Sequence, residues 1–333
     1  MKQLHTPRKL PVSVPETEAE DVSPKFLPTD GQLISDYYRE HGYVVVRGCI
    51  NQESCSEIRA LWEREVKPYK GHMYRQATAK LEQHVMNSKG WVMNPILNLQ
   101  SVDPSLFPDF RQTATSKIFA NPTLEATFRL LLGDTPKIVQ SMYFEGNSAT
   151  WEHQDSYYLD SEQVGTMAAA WIAIEDISAN AGRFFICPKS HKIDLIKQQR
   201  NNNIADNHEA YIQQVVERIK QEKLEIRAPC LEKGDVLFWN AFTIHGSLDS
   251  QDEKHSRSSI TCHAIADGHR FMQLHSRTFD LPTEDLGGIK VFRPKDLSRL
   301  KNKLIFSVEK NFPSAFYALK KIAVRQIVTT KKH

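Results

Sequence analysis

Four residues that lie far apart along the chain set the strongest constraint on its fold. His153 and Asp155 are two positions apart, His245 follows about ninety residues later, and Arg257 comes shortly after it. Two histidines and one carboxylate form the ligand set with which non-heme Fe(II) oxygenases leave three coordination positions open. The fold should therefore bring both segments to one metal, with Arg257 placed to bind the far end of a dicarboxylate cosubstrate.

The segments around these residues have the composition of β-strands. Residues 137–144 and 236–239 are rich in β-branched and aromatic side chains and follow turn-like sequences. Residues two apart in an extended chain point to the same side, so His153 and Asp155 can share one metal. Residues 256–263 form another strand pattern, in which Arg257 and Ser259 share a face and can reach one carboxylate.

Each of these residues also has an ordinary structural interpretation. A His-x-Asp arises by chance almost once in a chain with 13 histidines, and such a pair often lies on the surface. His245 can be a turn residue, and Arg257 a solvated charge at a sheet edge. The joint pattern arises by chance far less readily than any one of its members, so it favours a metal site.

Further motifs resemble the phytanoyl-CoA dioxygenase family of Fe(II)/2-oxoglutarate-dependent oxygenases. The resemblance runs from about Leu33 to about Phe271, and the segments that carry it are residues 37–48, 153–155, 171–176, 180–191 and 234–257. It implies a mixed α/β, mainly β fold, whose core is a double-stranded β-helix (a cupin-like jelly-roll) with flanking helices. Two residues depart from the family pattern: Lys189 replaces the usual glycine before Ser-His, and Arg183 stands where a small or apolar residue is common.

The resemblance also implies cofactors and residue roles. The catalytic metal ligands for Fe(II) would be His153, Asp155 and His245, and the 2-oxoglutarate site would consist of Arg257, Ser259, Met142 and Trp171. With O2 as second cosubstrate, such an enzyme oxidises a C–H bond of a small molecule and releases succinate and CO2. Related halogenases lack the carboxylate ligand, so Asp155 favours hydroxylation of a small organic, natural-product or lipid-like substrate.

Several functional alternatives stay open at this point. Desaturation, oxidative demethylation or cyclisation can start from the same hydrogen abstraction. A cupin-type isomerase or dioxygenase without 2-oxoglutarate would have no use for Arg257, and a catalytically silent jelly-roll binding protein would keep the metal site as a relic. The candidate substrate-binding residues flank the metal-bearing strands, although each can also be a core residue: Tyr143, Tyr157, Tyr158 and Trp239.

The chain divides into three regions by composition. Residues 1–29, with five prolines and an acidic middle, predict a flexible N-terminal arm. Residues 30–289 predict the oxygenase domain, in which the strand-rich barrel is interrupted by an insert over residues 193–225. Apolar residues at helical spacing in the insert predict a helix, which either packs on the barrel or acts as a lid.

The last region, residues 290–333, is strongly basic. It contains 12 Lys and Arg against 2 Asp and Glu, whereas the whole chain has a net charge of only +3. Residues 314–328 have the pattern of a basic amphipathic helix. This helix could dock on the enzyme itself, attach peripherally to an anionic membrane, or contact an acidic carrier. Nucleic acid is not an expected partner, because no basic motif with interleaved aromatic residues is present.

The cysteines bear on the cellular compartment. All five are scattered through the sequence, with no Cys-x-x-Cys pair, which favours reduced thiols and a cytoplasmic location. The N-terminus has no apolar stretch of the signal-peptide type, and the longest apolar run, residues 167–174, is too short to span a bilayer.

Overall fold

Capping residues and glycines define the helices. The computed structural model describes residues 1–146, 148–195, 207–274 and 277–320. Its helices are α1 (Gly31–His41), α2 (Gln52–Leu61), α3 (Pro108–Thr113), α4 (Pro122–Leu132), α5 (His208–Gln221) and α6 (Leu300–Asn311), with π-helical turns at Trp62–Val66 and Ala114–Phe119. Asn51 and Asn121 cap α2 and α4 with their side-chain oxygens. Gly42 and Gly133 end α1 and α4 in the left-handed conformation. Helix α5 confirms the helix predicted within the insert.

Most of the remaining elements are strands. In chain order they are β1 (Lys2–His5), β2 (Pro11–Val14), β3 (Lys25–Phe26), β4 (Tyr43–Val46), β5 (Met73–Tyr74), β6 (Leu81–Glu82), β7 (Ile96–Leu97), β8 (Pro136–Phe144), β9 (Thr150–His153), β10 (Leu159–Ser161), β11 (Ala168–Ala173), β12 (Phe184–Ile186), β13 (Val236–Asn240), β14 (His245–Ser247), β15 (Ser259–Ala266), β16 (Phe271–Gln273), β17 (Arg277–Phe279), β18 (Thr283–Asp285) and β19 (Lys290–Phe292).

A nine-stranded sheet forms the larger layer of the molecule. Its order is β18-β19-β8-β15-β11-β13-β4-β3, with β7 paired to β8. Because side chains alternate along a strand, Val236 and Phe238 face the helices, where Phe238 meets Phe128 edge-to-face. Leu237 and Trp239 point to the opposite, inner face of the sheet. The sheet is therefore buried on both sides.

Two three-stranded sheets cover this inner face. One has the order β12-β14-β9 and the other β10-β16-β17. Phe184 and Ile186 of β12 pack on Trp171 and Trp239 of the large sheet. Two facing, mainly antiparallel layers with helices on the outside form the predicted jelly-roll, and the site lies between the layers.

Residues 1–29 are not the flexible arm that their composition suggests. Strands β1 and β2 form an antiparallel hairpin. Leu4, Val12 and Val14 are buried on one face of it, packed with Phe185 of β12. Apolar residues at every second position give this hairpin a buried face, and that short period is easily overlooked among prolines and acidic residues.

The insert and the C-terminal region pack on the barrel. Helix α5 buries the residues that were predicted to recur at helical spacing, namely Tyr211, Ile212, Val215, Val216 and Ile219. Residues 196–206 of the insert lie outside the described residues. Strand β19 pairs in parallel with β8, so residues 290–292 belong to the large sheet and not to the extension.

Residues 313–320 are helical, and the rest of the helix predicted over residues 314–328 lies outside the described residues. No helix in the described part of the chain is long and apolar enough to cross a bilayer. All five cysteines are buried as free thiols.

Candidate metal centre

The two histidines of the predicted site lie directly opposite each other on paired strands. His153 ends β9 and His245 begins β14, and the two residues are partners in the antiparallel register. Gly246 allows the strands to approach, since a Cβ there would lie 2.5 Å from the Thr150 carbonyl oxygen. The imidazole ring centroids are 4.2 Å apart.

Each imidazole is oriented by a carbonyl group two residues earlier in its own segment. Nδ1 of His153 lies 2.8 Å from the Trp151 oxygen, and Nδ1 of His245 lies 2.9 Å from the Thr243 oxygen. A carbonyl oxygen only accepts hydrogen bonds, so both Nδ1 atoms carry the proton. The Nε2 lone pairs are consequently free for a metal, which is the arrangement found in metal-binding histidines.

Asp155 completes the group from the turn after β9. Its Oδ1 lies 3.5 Å from Nε2 of His153 and 3.4 Å from Nε2 of His245. Its Oδ2 accepts a hydrogen bond of 2.8 Å from the indole N–H of Trp239 and lies 3.3 Å from Nε2 of His263. Asp155 is thus held by two further residues while one oxygen faces the histidines.

Burial and mutual charge set the protonation of the group. Burial, followed by the neighbouring His245, lowers the pKa of His153, which favours its neutral, metal-binding form. Burial alone would raise the pKa of Asp155, but the neighbouring imidazoles of His245 and His263 hold that pKa well below its usual value. A neutral histidine beside an ionised carboxylate suits a divalent cation, because metal ligands must be deprotonated.

Arg257 is buried in the same cavity without an anionic partner. Its side chain is 2% exposed, and Nη1 donates to the Gly182 carbonyl oxygen at 3.0 Å. Among the described residues no carboxylate lies within ion-pair distance of it, and its Nε has no hydrogen-bond partner. Phe144 and Trp171 face the guanidinium at 5.5 and 6.0 Å. Burial lowers the pKa of Arg257 to about 9, so an anion brought to this position would relieve a real electrostatic cost.

The cavity joins the three metal ligands to this guanidinium. Its volume is about 480 Å³, and Met142, Trp171 and Thr261 lie in its wall together with Arg257. The convergent nitrogen and oxygen ligands fit Fe(II). The single buried cation beyond them fits the distal carboxylate of 2-oxoglutarate.

The structure brings most of the predicted site residues together. Met142, Trp171, Tyr158 and Trp239 all line the cavity. Trp239, predicted as a substrate contact, also donates its N–H to Asp155.

Three predicted residues lie elsewhere. Tyr143 neighbours Met142 on β8 and therefore points to the other face, where its ring stacks on Trp62 at 4.2 Å. Tyr157 stacks on Tyr211 of α5 at 3.7 Å, in a separate apolar cluster. Ser259 does not line the cavity, and its hydroxyl lies 3.2 Å from the Arg257 carbonyl oxygen as a donor.

Two residues that bear on the site were missed in the sequence. Thr261 occupies the wall position that Ser259 was expected to hold, and His263 contacts the carboxylate of Asp155. Both follow Arg257 at even spacing along β15, so the alternation of the strand could have indicated them.

Comparison with family models settles the relationship. The model described as "Phytanoyl-CoA dioxygenase (PhyH)" matches residues 38–258, about two-thirds of the chain. The chain belongs to the phytanoyl-CoA dioxygenase family. Its enzyme class is accordingly that of the 2-oxoglutarate-dependent non-heme iron dioxygenases.

Curated relatives share the family at low sequence identity. The peroxisomal phytanoyl-CoA dioxygenase of Homo sapiens is 24% identical over 243 residues, covering 70% of this chain and 68% of the human protein. That of Rattus norvegicus is 25% identical over 268 residues, covering 76% and 75%. A probable phytanoyl-CoA dioxygenase of Caenorhabditis elegans is 23% identical and covers 75% and 80%.

Solved structures share the fold. The α-ketoglutarate-dependent epimerase SnoN from nogalamycin biosynthesis superposes with a TM-score of 0.56 at 17% identity, covering 80% of this chain and 99% of SnoN. A second SnoN structure contains Fe3+, α-ketoglutarate and nogalamycin RO, with a TM-score of 0.54 at 18% identity over 80% of this chain and 96% of SnoN. Iron-bound EctD from S. alaskensis gives 0.52 at 15% identity, over 79% and 86%.

The two departures from the phytanoyl-CoA dioxygenase family pattern have structural explanations. Lys189 has a φ of 67°, the left-handed region in which the usual glycine is comfortable. Arg183 is buried and donates to the carbonyl oxygens of Pro15 and Ile177, at 2.6 and 3.2 Å. Arg183 therefore anchors the N-terminal segment that follows the β1–β2 hairpin.

Proposed function

We propose that this protein hydroxylates an unactivated C–H bond of a small, largely apolar molecule, using Fe(II), 2-oxoglutarate and O2. The observation that carries the proposal is Arg257, a buried cation without an anionic partner in the described structure, in the same cavity as His153, Asp155 and His245. A metal-dependent isomerase would have no use for a buried guanidinium at this place. An enzyme with a dicarboxylate cosubstrate would use it to bind the distal carboxylate.

Different residues of the cavity would bind the metal, orient its ligands and bind the cosubstrate. His153, Asp155 and His245 would hold the iron, while Trp239 and His263 fix the orientation of Asp155. Arg257 would bind the distal carboxylate of 2-oxoglutarate. When bound, iron would supply the site at which O2 oxidises 2-oxoglutarate to succinate and CO2 and the substrate C–H bond is oxidised by the second oxygen atom.

Apolar side chains would protect this chemistry from water. Met142, Phe144 and Trp171 form the wall between the metal ligands and Arg257. Tyr158 lies at the histidine end, with its ring centroid 5.6 Å from that of His153. Its hydroxyl lies 2.8 Å from Nε2 of His208 on α5. We infer that this pair closes one side of the substrate site and that α5 acts as a fixed wall.

A second cavity supports an elongated substrate. It has a volume of about 450 Å³ and shares Gln140 of β8 with the metal cavity. Its lining is rich in aromatic residues, among them Tyr69, Phe107 and Phe306. We propose that the part of the substrate remote from the reacting carbon occupies this space. Filling the junction with Gln140→Trp should raise the KM for such a substrate while leaving 2-oxoglutarate binding unchanged.

The reaction is tested by screening candidate substrates for stimulated succinate release with Fe(II) present. Asp155→Ala should abolish succinate release, because it removes one metal ligand. Anaerobic titration of the apoprotein with Fe(II) and 2-oxoglutarate should give a visible charge-transfer band in the wild type and none in Arg257→Met. A band without turnover on any substrate would favour a silent binding protein. Full turnover by Asp155→Ala would refute the iron chemistry.

A further inference from the structure

Helix α6 exposes apolar side chains and buries a charged one, which is the reverse of a normal surface helix. Its outward side carries Leu300, Leu304 and Val308, which are 79%, 69% and 49% exposed, and Phe312 at its end is 65% exposed. Its inward side buries Glu309, which is 1% exposed. Surface helices of globular proteins turn the apolar stripe inward. We call the four apolar residues the α6 outer face.

Polar contacts hold the helix in this orientation. The hydroxyl of Tyr74 donates to the Glu309 carboxylate at 3.0 Å, and the hydroxyl of Tyr317 donates to its other oxygen. Nζ of Lys295 lies 3.7 Å from the same carboxylate. Phe306 packs edge-on against Tyr74 with 6.0 Å between ring centroids. Turning the leucines inward would break this buried network, so the exposed stripe belongs to the folded arrangement.

The region that contains the α6 outer face has a large excess of basic residues, with 12 Lys and Arg against 2 Asp and Glu in residues 290–333. Both acidic residues of the region 290–333 are withdrawn from the surface: Glu309 as described, and Asp296 in an ion pair of 2.8 Å with Arg111. Within the described residues, no carboxylate forms an ion pair with three cations on α6 or at its start, which are Arg299, Lys301 and Lys310.

We propose that the α6 outer face docks the protein on an anionic phospholipid bilayer. Projecting apolar side chains among unpaired lysines combine hydrophobic insertion with attraction to anionic headgroups. A second copy of the chain is a poorer occupant, because a two-fold interface on this face would bring the cations Lys301 and Lys310 of one copy close to those of the other. The second cavity opens beside this helix, since Lys303 and Phe306 line it from the inner side of α6.

The test is sedimentation of the full-length protein with phosphatidylcholine vesicles, with and without phosphatidylglycerol. The wild type should bind only the anionic vesicles and dissociate as salt is raised. Leu304→Glu/Val308→Glu should weaken binding at least about tenfold, because it removes inserted apolar surface. Lys301→Gln/Lys310→Gln should weaken it by about 20- to 30-fold, at about 1 kcal/mol per cation.

Matched controls separate docking from folding and catalysis. Leu33→Glu matches the leucine variant, because it alters a leucine of α1 that is 59% exposed. Lys70→Gln/Lys89→Gln matches the lysine variant, because it removes two exposed lysines outside α6. Both controls should bind the vesicles like the wild type. Asp155→Ala should also bind, since docking needs no iron. Equal binding by Leu304→Glu/Val308→Glu, or no binding to anionic vesicles by the wild type, would overturn the proposal. A dimer that this variant converts to a monomer, without vesicle binding, would identify a second copy as the occupant instead.

Discussion

Replacing Arg257 by methionine should make the ligand-free protein more stable and abolish its response to 2-oxoglutarate. The guanidinium is 2% exposed, donates one hydrogen bond in the described structure and has no carboxylate partner there. Replacing buried charges by apolar residues of similar size often stabilises a protein by about 1–4 kcal/mol. The rings of Phe144 and Trp171 offset about 1 kcal/mol of the cost in the wild type. The net gain of up to about 3 kcal/mol corresponds to a rise in Tm of up to about 4 °C for a chain of this length.

The pH of the measurement follows from the pKa of Arg257. Burial lowers it from its ordinary value to about 9, so the charged form is disfavoured in the folded state. The cost of the cation is therefore fully present below about pH 9 and is lost as the pH rises above that value. Calorimetry near neutral pH should show the whole effect. Adding 2-oxoglutarate to the Mn(II)-loaded protein should raise the Tm of the wild type further and leave the Tm of Mn(II)-loaded Arg257→Met unchanged.

Arg183→Met is the matched control. Arg183 is also buried, but it donates to the carbonyl oxygens of Pro15 and Ile177, and its Nη1 lies 3.0 Å from the Cys230 sulfur. Its removal leaves buried acceptors without this donor, which typically costs about 1–3 kcal/mol. The Tm should therefore fall. A lower Tm for Arg257→Met, or a preserved response to 2-oxoglutarate, would refute the assignment of Arg257 as an anion-binding residue.

Three further variants test other parts of the structure. Trp239→Phe keeps the aromatic packing but removes the 2.8 Å hydrogen bond to Asp155. Titration with Mn(II) should therefore give about 10- to 100-fold weaker binding. An unchanged affinity for Mn(II) would contradict the role of Trp239 in orienting Asp155. Lys189→Gly should raise the Tm by about 1–2 °C, because the φ of 67° at this position strains any residue except glycine. Lys192→Gly is its control: it removes the other lysine that pairs with Glu40 and should not raise the Tm. Tyr143→Phe should leave the KM for the substrate within about twofold of the wild-type value, because the Tyr143 ring stacks on Trp62 outside the cavity. A large increase in this KM would mean that the substrate reaches this side of β8.

Local patterns predicted the metal group well and its surroundings less well. His153, Asp155 and His245 were recognisable because spacing and strand context restrict where a metal ligand can point. Tyr143 and Met142 were both assigned to the cavity, although strand alternation allows only one of two neighbours to face it. Tyr143 was the wrong choice, since helical side chains that arrive from elsewhere in the sequence bury it.

The remaining errors concern contacts made over long sequence distances. The N-terminal hairpin buries its apolar face against Phe185, and Thr6 donates to Glu152 while Arg8 forms a 2.7 Å ion pair with Glu209. None of these partners is evident from residues 1–29. Likewise, composition indicates that the C-terminal region is basic, but the outward orientation of α6 depends on Tyr74. Such contacts override local propensity and cannot be inferred from the segments themselves.

His153 and His245 lie opposite each other on β9 and β14, so a metal bound by both would depend on the register in which these strands pair. A slip of one residue between these strands would turn one histidine to the other side of the sheet and leave at most two ligands. A metal held by both histidines would therefore favour molecules in which β9 and β14 pair in this register, in addition to its part in turnover.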